Sequence, residues 1–333
     1  MFRKKTVLII GAGASAEFSM PLGSDLLNKV SQSLLSANIK NLLARNFQNA
    51  LIAQLGDEGR SLLQDHGKTL SNLSHRFKTM DAALHFLSNS PGAVKLGKLA
   101  IAYHMVQAER DSKLAKAIQG DDDSINRCDQ TWASQILSLA MEETRRGDFV
   151  TTFSNLTVID FNYDRVFLHY LYWAMQRLYT YNSSEAAEAL SHLKIFKPYG
   201  SIGRLDWEGH ENSLPFAPSS AELAMLVTRL RTFTEEQDSK LTEDIRNAVG
   251  EALVAIVLGF GFHRQNLKVI RTSTLSRKKF AYMSVYKVGK ENHEAIALHM
   301  TSALGCEAPP KLLEVTAYGL LRELGLAISL AAS

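Results

Sequence analysis

Four residues close to the ends of apolar runs carry side chains able to position or move protons: Asn162, Asp164, Tyr199 and His263. Asn162 offers both a donor and an acceptor, suited to fixing a sugar hydroxyl or an attacking water. Asp164 can accept hydrogen bonds from a ribose or brace its own loop. An Asn-Tyr-Asp cap on the following helix is the alternative for both residues. The Tyr199 phenol titrates near pH ~10, so it can orient or donate but is a poor base at neutral pH. His263 brings an imidazole, and structural use of a lone histidine is its alternative.

Glycine-rich turns accompany these groups. Gly11-Ala12-Gly13-Ala14-Ser15 follows the apolar run Val7 to Ile10, and its small residues let backbone amides approach a phosphate. A helix starting near Ser15 would aim its positive end at that anion. Leu258-Gly259-Phe260-Gly261-Phe262-His263-Arg264 ends another apolar run, again permitting close backbone approach to a ligand. A strand, a tight glycine turn and a helix start are the ordered parts of a nucleotide site. The dinucleotide-oxidoreductase pattern is met only loosely by Gly11, Gly13 and Ala16. Pro21 and Gly23 break the first helix, and Val30 to Lys40 holds no acid for the ribose hydroxyls.

The elements that must position these groups alternate. Strand-like runs occupy Val7 to Ile10, Leu156 to Phe161, Lys194 to Tyr199, Leu253 to Leu258 and Tyr282 to Val288. Helical patterns separate several of them, such as Arg165 to Leu178 with Phe167, Leu171 and Ala174 on one face, and Ser219 to Val249. The pattern predicts an α/β fold with a Rossmann-like parallel sheet. Residues 1–25 and 149–333 would form that domain, and 26–148 a large helical insertion. Within the insertion, Leu96, Leu99, Tyr103 and Val106 mark one helix face, and Trp132, Ile136, Leu139 and Ala140 another. Asp121-Asp122-Asp123-Ser124 reads as a loop with a helix cap, and Asp81 as a cap. Two more helices are expected near Lys290 to Ala303 and Lys311 to Leu326.

Composition limits the classes of function. The 333 residues are 46% hydrophobic and 21% charged, enough to bury a substantial core. A formal charge of +3 does not indicate nucleic acid or a membrane surface as partner. Cys128 and Cys306 give no disulfide framework and no four-cysteine zinc site, so no metal is expected. No apolar run approaches the roughly 18 residues of a spanning helix, and a cytoplasmic location is expected.

Four motifs in order, Gly11-Ala12-Gly13-Ala14-Ser15 with Pro21, Asn162-Tyr163-Asp164, Lys197-Pro198-Tyr199-Gly200-Ser201 and Gly259-Phe260-Gly261, resemble the sirtuin-like fold. The resemblance covers roughly Thr6 to Asp25 and Leu156 to Val288. It implies that Gly11 to Ser15 hold the pyrophosphate of NAD and that the loop with Pro21 lies across its nicotinamide half. Asn162 and Asp164 would contact the nicotinamide ribose and carboxamide, with Tyr199 and Gly200 lining the ribose pocket. Gly259 and Gly261 would lie at the adenine ribose and phosphates. Tyr199 stands where the family usually has its acid–base His, a role His263 could take over.

The nearest likeness is to bacterial sirtuin-like proteins that deplete NAD in antiphage defence, which carry helical insertions and lack the zinc module. It implies an NAD glycohydrolase that releases nicotinamide, controlled by homo-oligomerisation or a partner protein. The alternative is a sirtuin-like NAD- or ADP-ribose-binding sensor that has lost catalysis. A flavin or nicotinamide oxidoreductase is a third.

Overall fold

The computed structural model describes residues 2–35, 41–74, 76–119, 122–218, 223–231, 239–276 and 278–333. Six strands form one sheet: β1 (Thr6–Ile10), β2 (Leu156–Asp160), β3 (Lys194–Phe196), β4 (Val254–Leu258), β5 (Phe280–Ser284) and β6 (Lys311–Leu313). Every pairing is parallel and the order is β3-β2-β1-β4-β5-β6. This is a Rossmann-like α/β fold, as the alternation of elements predicts. The central strands TVLII and VAIVL are buried along their whole length, which is why they read as continuous apolar runs. The edge strands are three residues long and each starts on a lysine, features that discourage pairing with another sheet.

Register decides where the loops emerge. Ile10 sits level with Asp160 on one side and Leu258 on the other. The chain therefore leaves β1, β2 and β4 at the same height. Because strand order reverses between β1 and β4, the crevice beside these ends is the switch point where open α/β sheets bind ligands.

Several boundaries differ from expectation. Helix begins at Ala12 and lasts four residues, continuing as a 3-10 turn through Phe18. Ser19 then takes a left-handed conformation at φ 68°, and the next helix is Gly23–Ser33. β3 stops at Phe196 because the chain turns at once, the Gly200 N–H donating to the Lys197 carbonyl at 3.0 Å. Lys311–Leu313 is a strand rather than the start of a helix. It follows Pro309 and Pro310, pairs with β5, and leaves the last helix to begin at Ala317, where Thr316 caps it.

Between Ile10 and Leu156 the described residues form helices and no strand. Pro91–Asp111 is the hub of this segment, packing on Gly23–Ser33, Leu42–Leu62 and Leu223–Val227. It is buried nearly all round, at Ala93, Leu96, Leu99, Ile101, Met105 and Ala108 among others, rather than along a single face. Apolar side chains of this segment and of the sheet region belong to one contiguous core. Asp121 lies outside the described residues, and Asp122–Cys128 is a 3-10 helix. Of Ser219 to Val249, residues 219–222 and 232–238 are likewise outside, and the remainder holds the helices Leu223–Val227 and Ser239–Glu251 with a turn at 228–231. Cys128 and Cys306 are buried and unpaired. Among the described residues no helix is long and apolar enough to cross a membrane.

Candidate functional site

A cavity of about 620 Å³ opens at the switch point. Its floor is a junction of two loops. The Gly13 N–H donates to the Gly259 carbonyl at 3.0 Å, and the Gly11 N–H to the Leu258 carbonyl at 3.1 Å. A Cβ on Gly13 would lie 2.8 Å from the Gly259 Cα. Gly259 itself has φ 55°, and a Cβ there would overlap the Ala14 nitrogen. The glycines thus answer first to each other. Two amides expected to face a phosphate are spent on this contact.

The loop after β2 carries the Asn and Asp. Lys197, just past β3, holds it from beneath: its ammonium pairs with the Asp160 carboxylate and donates to the carbonyls of Asn162 at 2.9 Å and Asp164 at 2.7 Å. The Asn162 N–H donates to Asp160 Oδ1 at 2.9 Å, closing the turn. Asn162 Nδ2 donates to Ser15 Oγ at 3.1 Å, and the nearby Ser15 hydroxyl favours the charged form of Asp164. The amide is therefore oriented, with its nitrogen toward Ser15. Asp164 Oδ1 also accepts the Val166 N–H at 3.1 Å, the first of the helix Val166–Tyr179, whose cap position is Arg165 rather than a residue of Asn162–Asp164. Burial, and then the charge of Asp160, raises the Asp164 pKa above the usual carboxylate range. Burial raises that of Asp160 too, against the pull of Lys197.

Aromatic rings wall the cavity. Phe161 meets Tyr199 and Phe260 edge-on at 5.7 and 5.1 Å between centroids, and Tyr163 and Phe262 extend the group. The Tyr199 hydroxyl donates to Asn266 Oδ1 at 2.6 Å, and Asn266 Nδ2 donates to the Gly261 carbonyl at 2.9 Å. Burial and the nearby Asp81 charge push the Tyr199 phenol far above its ordinary value, so it stays protonated. His263 stands at the exposed rim and caps no N–H with its side chain, although its backbone starts the helix Arg264–Ile270. Partial burial and the Lys78 charge lower its pKa, while Asp81 opposes that shift. A neighbouring chamber of about 570 Å³ shares His263 and Lys287 with the cleft and adds Lys78 and His299, so that two lysines stand at that rim.

Gly11, Ala12, Gly13, Pro21, Asn162, Asp164, Tyr199, Gly259, Gly261 and His263 all line this one cavity. Ala14, Ser15 and Gly200 do not. Ala14 is buried and its carbonyl accepts the Trp132 indole N–H at 2.9 Å. Ser15 acts one step back, through Asn162 and Asp164. Gly200 packs against the Arg229 backbone. Arg264, at the end of the second glycine-rich stretch, is exposed and does not line the cleft.

Sequence reasoning missed the acids contributed from a distance. Glu17 lines the cleft while its two oxygens accept the Trp132 N–H at 2.8 Å and the Tyr318 N–H at 2.7 Å, capping two helices at once. Asp81 is not the helix cap expected of it. Thr79 holds that position, accepting the Ala82 N–H at 3.2 Å, and Asp81 faces the cleft and accepts the Tyr163 hydroxyl. Among the described residues no cluster of three His, Cys, Asp or Glu is placed to hold a metal ion.

Fold and site together define a Rossmann-like α/β protein with an aromatic, acid-bearing cleft at the sheet's switch point. No protein-family model matches the chain, and no curated protein is significantly similar to it.

Proposed function

We propose that the cleft binds NAD in the manner of sirtuin-like proteins and hydrolyses its nicotinamide–ribose bond. The observation that carries this reading is the placing of the oriented Asn162 amide beside the Gly11–Gly13 turn at the switch point. The nicotinamide ring of NAD is a cation. A cavity walled by Phe161, Tyr163, Tyr199 and Phe260 and bearing Asp81 and Asp164 suits such a ring and the oxocarbenium-like centre that forms as it leaves. In the reaction the C1′–N bond breaks and nicotinamide departs with the electron pair. A water positioned by the Asn162 carbonyl oxygen bonds to C1′, and its proton passes to solvent. Lys287 at the rim suits the diphosphate by charge and the His263 imidazole as a hydrogen-bonding group, which compensates for the amides committed between the glycine turns. An NAD-depleting effector in antiphage defence, restrained by self-assembly or a partner protein, is the biological setting this activity would fit.

One observation favours a second reading, a sensor that binds NAD or ADP-ribose without turnover. Tyr199 is protonated and committed to Asn266, so it supplies no base. Nicotinamide release from NAD, followed with wild type, Asn162→Ala and Tyr199→His, separates the two. Release by wild type that Asn162→Ala abolishes supports the hydrolase. Binding without release, with activity gained by Tyr199→His, supports the sensor. Neither binding nor release by any variant rejects both.

A further inference from the structure

Asp81 enters the cleft from the helical segment, on the first turn of Met80–Phe86. Thr79 caps that helix, so the Asp81 carboxylate is not needed there. The helix is held against Pro91–Asp111, where Leu84 packs on Gly97: a Cβ at position 97 would overlap the Leu84 Cδ2, and the leucine would have to shift. Across the cleft the carboxylate accepts the hydroxyl of Tyr163, the middle residue of the Asn162–Asp164 loop. Burial and the Lys78 charge lower the pKa of the His263 imidazole, and the Asp81 charge opposes that shift. Burial raises the pKa of Asp81, the mark of a carboxylate kept from water by its surroundings.

An ionised carboxylate has about four acceptor sites and no donor. The Tyr163 hydroxyl occupies one. What such a group recognises in a ligand is a set of donors, and a vicinal diol supplies two from adjacent carbons. It repels phosphate. A ligand with a ribose at one end and phosphates in its middle would therefore turn the ribose toward Asp81 and Asn162 and the phosphates toward Lys287.

We infer that Asp81 is a ligand-contacting residue whose carboxylate accepts the hydroxyls of the ribose that lies beside Asn162. The inference rests on the nucleotide reading of the cleft and assigns the helical segment a direct part in it. Calorimetric titration with ADP-ribose and with ADP, which lacks the terminal ribose, tests it on wild type, Asp81→Asn and Asp81→Ala. Wild type is expected to bind ADP-ribose more tightly than ADP. Both variants should lose about ten- to a hundredfold in ADP-ribose affinity and stay within about twofold for ADP. Because the readout is a ratio, partial unfolding of a variant does not imitate it.

Unchanged ADP-ribose binding by the variants overturns the proposal, and so does equal loss of both ligands. Wild type that binds ADP-ribose no tighter than ADP overturns it as well. Wild type that binds neither ligand rejects the nucleotide reading and the proposal with it. The ratio behaving as expected while NAD yields no nicotinamide leaves the proposal standing and rejects only the hydrolase.

Discussion

Arg165 closes its guanidinium on Glu109 in a two-pronged bond, Nε to Oε1 at 3.0 Å and Nη2 to Oε2 at 2.6 Å, with both residues buried. Glu109 lies near the end of the central helix of the helical segment, and Arg165 directly follows Asp164. Glu109 also accepts the backbone N–H groups of Arg165 and Ala217, at 3.2 Å each. Arg165 spends its remaining donors on the carbonyls of Leu214 and Pro215, at 2.9 and 3.0 Å. One ion pair thus joins three pieces of chain that share no local sequence. The helical segment fixes the strand-end loop from behind through Glu109, and meets its front through Asp81.

Glu109→Gln keeps the volume but leaves a buried guanidinium without its counter-charge. The cost expected is about 3–5 kcal/mol, typical of a buried pair broken on one side. Urea unfolding at neutral pH measures it. Proteolytic nicking should appear first in the segment 204–217, whose carbonyls and Ala217 N–H are organised by the pair. A cost below about 1 kcal/mol, with unchanged proteolysis, would mean that water replaces the carboxylate and that the loop is held elsewhere.

The sheet and the glycine turns were legible because each depends on neighbours in sequence: apolar runs of about five residues, each followed by residues that only a tight turn explains. Asn162, Asp164, Tyr199 and Gly259 were found for the same reason, since each sits one to four residues past a strand. Asp81 and Glu109 were not found. Their partners are 82 and 56 residues away, and an acid on a helix carries no local sign of where it will be buried. Lys197 stood in a recognised motif, but its role needs the β2–β3 register that sets it under Asp160. The short β6 was missed because three residues after two prolines carry almost no periodicity, and pairing with β5 decides the matter.

Gly259 and Gly56 share φ 55°, yet their surroundings differ, so alanine at each separates backbone strain from crowding. Nothing lies within 4 Å of a Cβ on Gly56, and Gly56→Ala should cost about 1–3 kcal/mol from strain alone. Gly259→Ala adds an overlap with the Ala14 backbone and must push the β1 turn away from the β4 loop. A larger loss of stability and complete loss of ADP-ribose binding are expected, read by urea unfolding and calorimetry. Equal costs at the two positions would show that the glycine junction yields without consequence.

Two buried histidines set an acid limit on stability. Burial and the charge of Lys29 lower His104 to about 4, and burial and Arg165 lower His169 to about 3. Both ring nitrogens of His169 face indole N–H groups, of Trp173 at 3.1 Å and Trp207 at 3.3 Å. A doubly protonated ring would oppose N–H to N–H on both sides. In the unfolded chain each titrates near ~6.5, so below that value the unfolded state binds more protons and stability falls with pH. The loss is about 2 kcal/mol for each at pH ~5 relative to ~7. Asp160, Asp164 and Asp81, with raised values, work in the opposite direction and offset part of it. His104 Nε2 has no hydrogen-bond partner among the described residues. His104→Phe should therefore remove about 2 kcal/mol of the difference between pH ~7 and ~5 without destabilising the protein at neutral pH. Unfolding curves at the two pH values check this; an unchanged difference would mean that His104 is charged in the fold.

Lys197 serves two purposes that a double variant pulls apart. Its ammonium neutralises Asp160 and also clamps the carbonyls of Asn162 and Asp164. Lys197→Met strands the Asp160 carboxylate and should cost about 3–5 kcal/mol. Adding Asp160→Asn removes the stranded charge, keeps an acceptor for the Asn162 N–H, and should return most of that stability. Neither variant restores a donor to the two carbonyls, so the loop that aims Asn162 stays loose. ADP-ribose affinity is then expected to remain at least about tenfold weaker in the double variant, although its urea midpoint approaches that of wild type. Recovery of affinity together with stability would show that Lys197 matters only as the counter-ion of Asp160, and that Ser15 alone holds Asn162 in place.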